Sequence, residues 1–195
     1  MSTSKSNVLD GIPESYQEYI VTIYRLSAKS KIVTNIDIAQ KMKNAPSSVY
    51  NMLVKLKDRN LLDWEPKKKE IRLSETGILI GKRLILGHLI MEIFLREYLG
   101  LEDQDEIHNL ACKLEHHVTE SIQQGFRKRI GNKAFKEIQK IVDKDSDPEC
   151  AIQKLREVFP TPDQIIGKFA DLILKKLPDS TKEIESVKTQ LLDEL

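Results

Sequence analysis

The sequence predicts a mainly α-helical protein with one short β-hairpin after its third helix. Three observations carry that prediction. Apolar residues recur at three- and four-residue spacing along most of the chain, the β-capable runs are confined to residues 61–64 and 70–73, and prolines 46, 148, 160, 162 and 178 punctuate the periodic stretches.

The first helix spans residues 14–28, with Tyr16, Ile20, Ile23, Tyr24 and Leu26 on its buried face. A second follows Thr34, capped by Thr34 or Asn35, with Ile36, Ile38, Ala39 and Met42 as its apolar set. KNAPSS then breaks the chain, because Pro46 disfavours helical geometry at the residue before it and suits the first turn of a new helix. That third helix turns Val49, Met52 or Leu53, and Leu56 inward. It leaves Ser47, Ser48, Tyr50, Asn51, Val54 and Lys55 at or near the outside. LLDWEPKKKEIRLSETG reads as the hairpin, with Lys67, Lys68 and Lys69 at a basic tip. Helix, helix, turn, helix, hairpin is the layout of a winged helix-turn-helix, whose third helix enters a DNA major groove while the wing touches backbone or minor groove.

Ser74-Glu75-Thr76 opens a long helix through Tyr98. Its Ile78, Leu79, Leu84, Ile85, Leu89, Ile93, Phe94 and Leu95 form an apolar surface broader than one domain is expected to cover. Gly100 ends it, and helices over 104–117 and 119–130 follow, the latter capped by Thr119. A surplus apolar face behind a helix-turn-helix predicts a two-fold homodimer that reads two half-sites of double-stranded operator DNA. Residues 133–143, 148–159, 162–177 and 180–195 read as further amphipathic helices. The expected division is a winged helix-turn-helix DNA-binding domain over 1–77, an all-helical dimerisation and metal-binding domain over 78–145, and a C-terminal helical extension over 146–195.

Charge supports a polyanion partner for the first part. Residues 1–77 carry thirteen Lys/Arg against nine Asp/Glu, whereas the remainder carries eighteen against twenty-one, although the whole chain has a formal net charge of only +1. No apolar run approaches the roughly 20 residues that span a bilayer. The start, MSTSKSNVLDGIPES, lacks the apolar core of a secretory signal, which predicts a cytoplasmic protein without a membrane partner. Cys112 and Cys150 do not make a disulfide framework.

All four histidines, His88, His108, His116 and His117, fall between positions 88 and 117 together with Cys112. In ACKLEHH, Cys112, Glu115 and His116 have the i, i+3, i+4 spacing of one helical face. His108 lies one turn earlier, and His88 with Glu92 makes a second i,i+4 pair on the preceding helix. Two facing helices would gather a mixed nitrogen, oxygen and sulfur set suited to a first-row divalent metal. His117 lies outside the pattern. Enzyme signatures are missing: there is no HExxH, no His-x-Glu with Cys-x-x-Cys and no Gly-rich phosphate loop, and Lys113 stands where a di-iron bundle needs an acid. The reading is a regulator, not an enzyme, with no small organic substrate. The alternatives are a winged-helix regulator whose Cys112 cluster is structural or redox-responsive, and a winged helix that serves as a protein-interaction module without binding DNA.

The motifs YQEYIVTIYRL, PSSVYNMLVKL, LSETG, GKRLILGHLIMEIFLREYLGL and ACKLEHHVTE occur in this order over about residues 14–130. In them the chain resembles the iron- and manganese-dependent repressors typified by the diphtheria toxin repressor and the manganese transport regulator, the DtxR/MntR family. The resemblance implies metal-activated repression, with metal held between a winged helix and a helical dimerisation domain, and it suggests control of metal-uptake genes. It implies Glu18 as the ligand from the first helix, where typical members have Met or Asp, and it matches His88, Cys112, Glu115 and His116 to ligand positions. Glu92 and His108 match positions for a second metal in the toxin-repressor branch, while Ser47, Ser48 and Asn51 match the DNA-facing start of the recognition helix. Val21 replaces a first-helix carboxylate of the manganese branch, and Cys112 replaces a glutamate. The implied cofactor is Mn2+ or Fe2+, with Zn2+ also accommodated by the thiol. The helical tail does not resemble the SH3-like domain of the toxin-repressor branch.

Overall fold

Pro13 fixes the start of helix α1 (Glu14–Lys29), and the amide of Gln17 donates back to the carbonyl of Ile12 at 2.8 Å. α1 is more than an amphipathic stripe: Tyr19, Ile20, Val21, Thr22, Ile23 and Tyr24 are all buried in succession, because α1 packs on α2 (Asn35–Met42) and also on α4 (Glu75–Ile93). The computed structural model describes residues 8–9, 11–30, 32–144, 185–186 and 188–190. The chain divides into two units, Met1–Ile152 and Gln153–Leu195.

Thr34 caps α2 in a reciprocal capping box. Its hydroxyl accepts from the Asp37 N–H, and the Asp37 carboxylate accepts from the Thr34 N–H at 2.8 Å. Pro46 occupies the first turn of α3 (Pro46–Asp58), whose Val49, Leu53 and Leu56 are buried while Met52 is only partly so. After α3, the two expected hairpin arms meet at a single antiparallel bridge, Leu62 with Leu73, and the Asp63 N–H donates to the Arg72 carbonyl at 2.9 Å. No longer ladder forms among the described residues. One reason is that the Ile71 N–H is drawn elsewhere, to the Val33 carbonyl at 2.8 Å. The indole N–H of buried Trp64 donates to the Lys68 carbonyl and closes the tip.

Ser74 caps α4 by accepting from the Gly77 N–H at 3.1 Å. From Leu84 to Ile90 the helix is buried all round, with α1, α5 (Gln104–Leu114), α6 (Glu120–Ile130) and α7 (Asn132–Lys144) packed against it. The apolar surface expected to exceed one domain is therefore largely covered within the same chain: Leu84, Ile85, Leu89, Ile93 and Leu95 are buried, and Ile78, Leu79 and Phe94 stay exposed. At Gly81 the helices nearly touch, since a Cβ there would lie 2.8 Å from Tyr24 Cγ. The helix expected to run unbroken to Tyr98 ends at Ile93 and continues as a π turn, Phe94–Tyr98, before Gly100 reverses the chain at φ 68. Thr119 caps α6 as its spacing predicts. α7 buries Phe135, Ile138, Ile141 and Val142, and Asp143 pairs with Lys82 of α4 at 2.7 Å. The helices expected over 148–159 and 162–177, and Cys150, lie outside the described residues; within 180–195, residues 185–186 and 188–190 are helical. None of the described helices is long and apolar enough to cross a membrane.

Candidate metal centre

α4 and α5 face each other and bring together the donors that each carries one turn apart. On α4, His88 Nε2 lies 2.8 Å from Glu92 Oε1, and on α5, Cys112 Sγ lies 3.6 Å from His108 Nε2. Across the interface, His108 Nδ1 is 3.2 Å from the same Glu92 oxygen. One ligand atom each from His88, His108 and Cys112 lie within 4.8 Å of one another. Glu115 completes the group with its Oε2 2.8 Å from His88 Nδ1. Gly87 permits that approach, because a Cβ there would stand 2.8 Å from the Glu115 carbonyl oxygen.

The cluster is charged. His88 is fully buried, which opposes its ionisation, yet hydrogen bonds with Cys112, Glu115 and Glu92 push its pKa up to about 10. His108 is pushed up to about 9, first by Cys112 and then by Glu92. Burial raises the Cys112 thiol, but His108, His88 and Arg25 outweigh it and bring it down to about 6. Burial likewise raises Glu92, and the two imidazoles reverse this to about 2. Glu92 Oε2 is buried with no hydrogen-bond partner, an acceptor lone pair still to be satisfied. Two imidazoles, a thiolate and two carboxylates form a set that fits a first-row divalent metal.

His116 goes elsewhere. Its Nε2 lies 2.9 Å from Glu18 Oε1 and its Nδ1 3.0 Å from Gln17 Oε1, both on α1. Glu14, Glu18 and His116 form a second cluster of close ligand atoms. Burial lowers the His116 pKa, but Glu18 and Glu115 raise it overall, and the hydrogen bond from His116 holds the half-exposed Glu18 below the usual carboxylate range. The expected single face of Cys112, Glu115 and His116 is thus divided. α5 stops at Leu114 and Glu115–His117 form a 3-10 turn; Glu115 stays with His88 and Arg25, while His116, the next residue, meets Glu18 and Gln17. His117 is exposed.

One participant was not anticipated. Arg25 of α1 reaches into the inner group, with Nη2 2.9 Å from Glu115 Oε2 and 3.5 Å from His88 Nδ1, and Nη1 3.9 Å from Cys112 Sγ. A signal existed in the sequence: Glu14, Glu18, Val21 and Arg25 recur at helical spacing, so three charged residues share a stripe of a helix that is otherwise mostly apolar.

The outward residues of α3 lie in solvent. Ser47, Ser48, Tyr50, Asn51 and Lys55 are all exposed, as are Lys67, Lys68 and Lys69 at the tip after Trp64. Tyr50 joins the two, with its ring edge-on to Trp64 at 5.6 Å between centroids. Lys68 pairs with Glu65 at 3.0 Å in solvent.

Two models of one family match the chain: the N-terminal DNA-binding domain of the iron dependent repressors over residues 12–69, and their metal binding and dimerisation domain over residues 74–140. The HTH-type transcriptional regulator MntR of Bacillus subtilis (strain 168) is 36% identical over 105 residues, 54% of this chain and 72% of its own length. MntR of Oceanobacillus iheyensis is 30% identical over 158 residues, 80% of this chain and 97% of its own. Among solved structures, that of the manganese regulator SloR superposes with a TM-score of 0.51 at 30% identity, covering 59% of this chain and 53% of SloR. The chain therefore spans about half the length of that structure.

Proposed function

Because the chain belongs to the iron-dependent repressor family, whose members are metal-dependent DNA-binding transcriptional repressors, we propose that it binds operator DNA as a homodimer when loaded with Mn2+ or Fe2+ and controls metal-uptake genes in the cytoplasm. The likeness to MntR and to the manganese regulator SloR supports manganese, the family description supports iron, and the Cys112 thiol also admits Zn2+. The ligands are His88, Glu92, His108, Cys112 and Glu115 in the inner group, and Glu18 with His116 in the outer. Ser47, Ser48, Tyr50, Asn51 and Lys55 read the DNA, and Lys67, Lys68 and Lys69 touch its backbone from a wing; the Leu62–Leu73 bridge supports that wing. Reading domain 1–77, sensing domain 78–145 and extension 146–195 are the working division.

The observation that carries the mechanism is the position of α1. One side of it packs on α2, and the other lies on α4 and presents Glu18 to His116. A divalent metal supplies a charge that carboxylate, imidazole and thiolate donors share. To serve as donors, His88, His108 and His116 must each release a proton from the nitrogen that now faces a carboxylate or the thiol, so ligation is favoured as pH rises. Glu18 and His116 then tie α1 to the sensing domain, and α1 sets the orientation of α2 and α3. DNA affinity rises by linkage to the extent that this tie favours the DNA-competent arrangement.

Fluorescence anisotropy of labelled DNA from upstream of the protein's own gene, in chelator and then with Mn2+, anaerobic Fe2+ or Zn2+, tests this. At least a tenfold tightening, about 1.4 kcal/mol, is expected with one metal. Glu18→Gln should remove that stimulation while leaving binding in chelator unchanged, since Glu18 is 47% exposed and contributes little to folding. Equally tight binding in chelator and metal would refute the metal switch; stimulation retained in Glu18→Gln would refute the role of α1.

A further inference from the structure

We propose that Arg25 is a built-in competitor for the metal: its guanidinium is a resident cation on the donor atoms of Glu115 and Cys112, and its displacement sets how much metal the protein requires. The inference rests on the metal-site reading above.

Three features of the contact support it. First, the guanidinium enters from α1, 87 and 90 positions away in sequence from the Cys112 and Glu115 it meets, so it belongs to the α1–α4–α5 arrangement and not to local helix chemistry. Second, it faces the very atoms that would ligate. Glu115 is 1% exposed, and its Oε2 is shared between Arg25 and His88. A second cation at these atoms meets a fixed positive charge a few ångströms away, in a setting where water screens little. Third, the seat is incomplete. Only the contact to Glu115 is short, the approaches to His88 and Cys112 are long, and the buried Arg25 Nε has no hydrogen-bond partner. A guanidinium built in as permanent support would use its planar fork more fully. With its side chain 19% exposed, Arg25 lies near a route by which it can swing out to solvent.

The consequence is a threshold. Metal enters only where its gain exceeds the loss of the Arg25–Glu115 pair, so the response shifts to higher metal concentration than the donors alone would set.

The test measures Mn2+ and Co2+ affinity of the full chain, without DNA, by competition with a chromophoric chelator. Arg25→Met keeps the length and removes the charge, and it should tighten binding tenfold or more. Arg25→Gln keeps amide donors without charge and should tighten binding in the same direction, and it carries the test should Arg25→Met fail to fold. Arg25→Lys keeps a mobile charge and should stay within about threefold of the parent, or about 0.6 kcal/mol. Equal or weaker metal affinity in both uncharged variants would overturn the competitor role and make Arg25 a positioning residue for Glu115. If the parent chain itself binds neither metal, the metal-site reading fails instead.

Discussion

Gly81→Ala is expected to destabilise the protein by prying α1 from α4. The added Cβ would lie 2.8 Å from Tyr24 Cγ and 2.9 Å from Tyr24 Cβ and Cδ2. Carbon atoms in contact prefer about 3.5–4.0 Å, so the helices must separate by roughly 0.7–1.2 Å. Rotating the Tyr24 ring offers no escape, because one clashing atom is its own Cβ, which moves only with the α1 backbone. Overpacking of this kind costs about 1–3 kcal/mol, alanine in place of glycine inside a helix returns about 0.5–1 kcal/mol, and in a chain of this size each net kcal/mol lowers Tm by about 2–4 °C. Thermal unfolding in chelator should therefore show a Tm below that of the parent by up to about 10 °C. The same separation moves Glu18 and Arg25 relative to α4 and α5, so metal stimulation of DNA binding should fall as well. A Tm above that of the parent would refute the tight α1–α4 contact, because alanine's helix preference would then meet no steric cost.

Cys112, brought down to about 6, should show ultraviolet thiolate absorbance in chelator that is lost as pH falls through that value; a midpoint near the ordinary 9.0 would contradict its pairing with His108 and His88. The opposite sign holds for His88 and His108. Their raised values stabilise the fold fully below the ordinary 6.5, and that contribution should disappear as pH rises through about 9 to 10, read as falling denaturation midpoints in chelator. Asn51→Ala, at an exposed position of α3, should weaken specific operator binding by about 1–3 kcal/mol and leave metal affinity without DNA unchanged. Uniform weakening on specific and random DNA alike would assign Asn51 to backbone contact instead.

Much of the local structure was legible in advance because its causes are local. Thr34, Ser74 and Thr119 cap helices through bonds to residues three positions on. Pro46 starts α3, and the spacing that turns Val49, Leu53 and Leu56 inward leaves Ser47, Ser48, Asn51 and Lys55 in solvent. Spacing also paired His88 with Glu92 and His108 with Cys112. It could not show that His116 would meet Glu18, because that contact joins residues 98 positions apart. On α4 it marked a broad apolar surface but not which helices cover it: α1, α5 and α7 take most, and Ile78, Leu79 and Phe94 stay exposed.

By itself, then, the sequence determined the helices, their caps, the exposed face of α3 and the crowding of His, Glu and Cys side chains on α4 and α5, since each depends on periodicity and hydrogen bonding within a few residues. Only the tertiary structure decided how those side chains are partitioned: which gather between α4 and α5, that His116 turns to Glu18, and that Arg25 stands beside His88, Cys112 and Glu115. Those outcomes depend on close approaches at Gly81 and Gly87 and on contacts between residues up to 99 positions apart. Helix packing sets such contacts, and no local pattern encodes them.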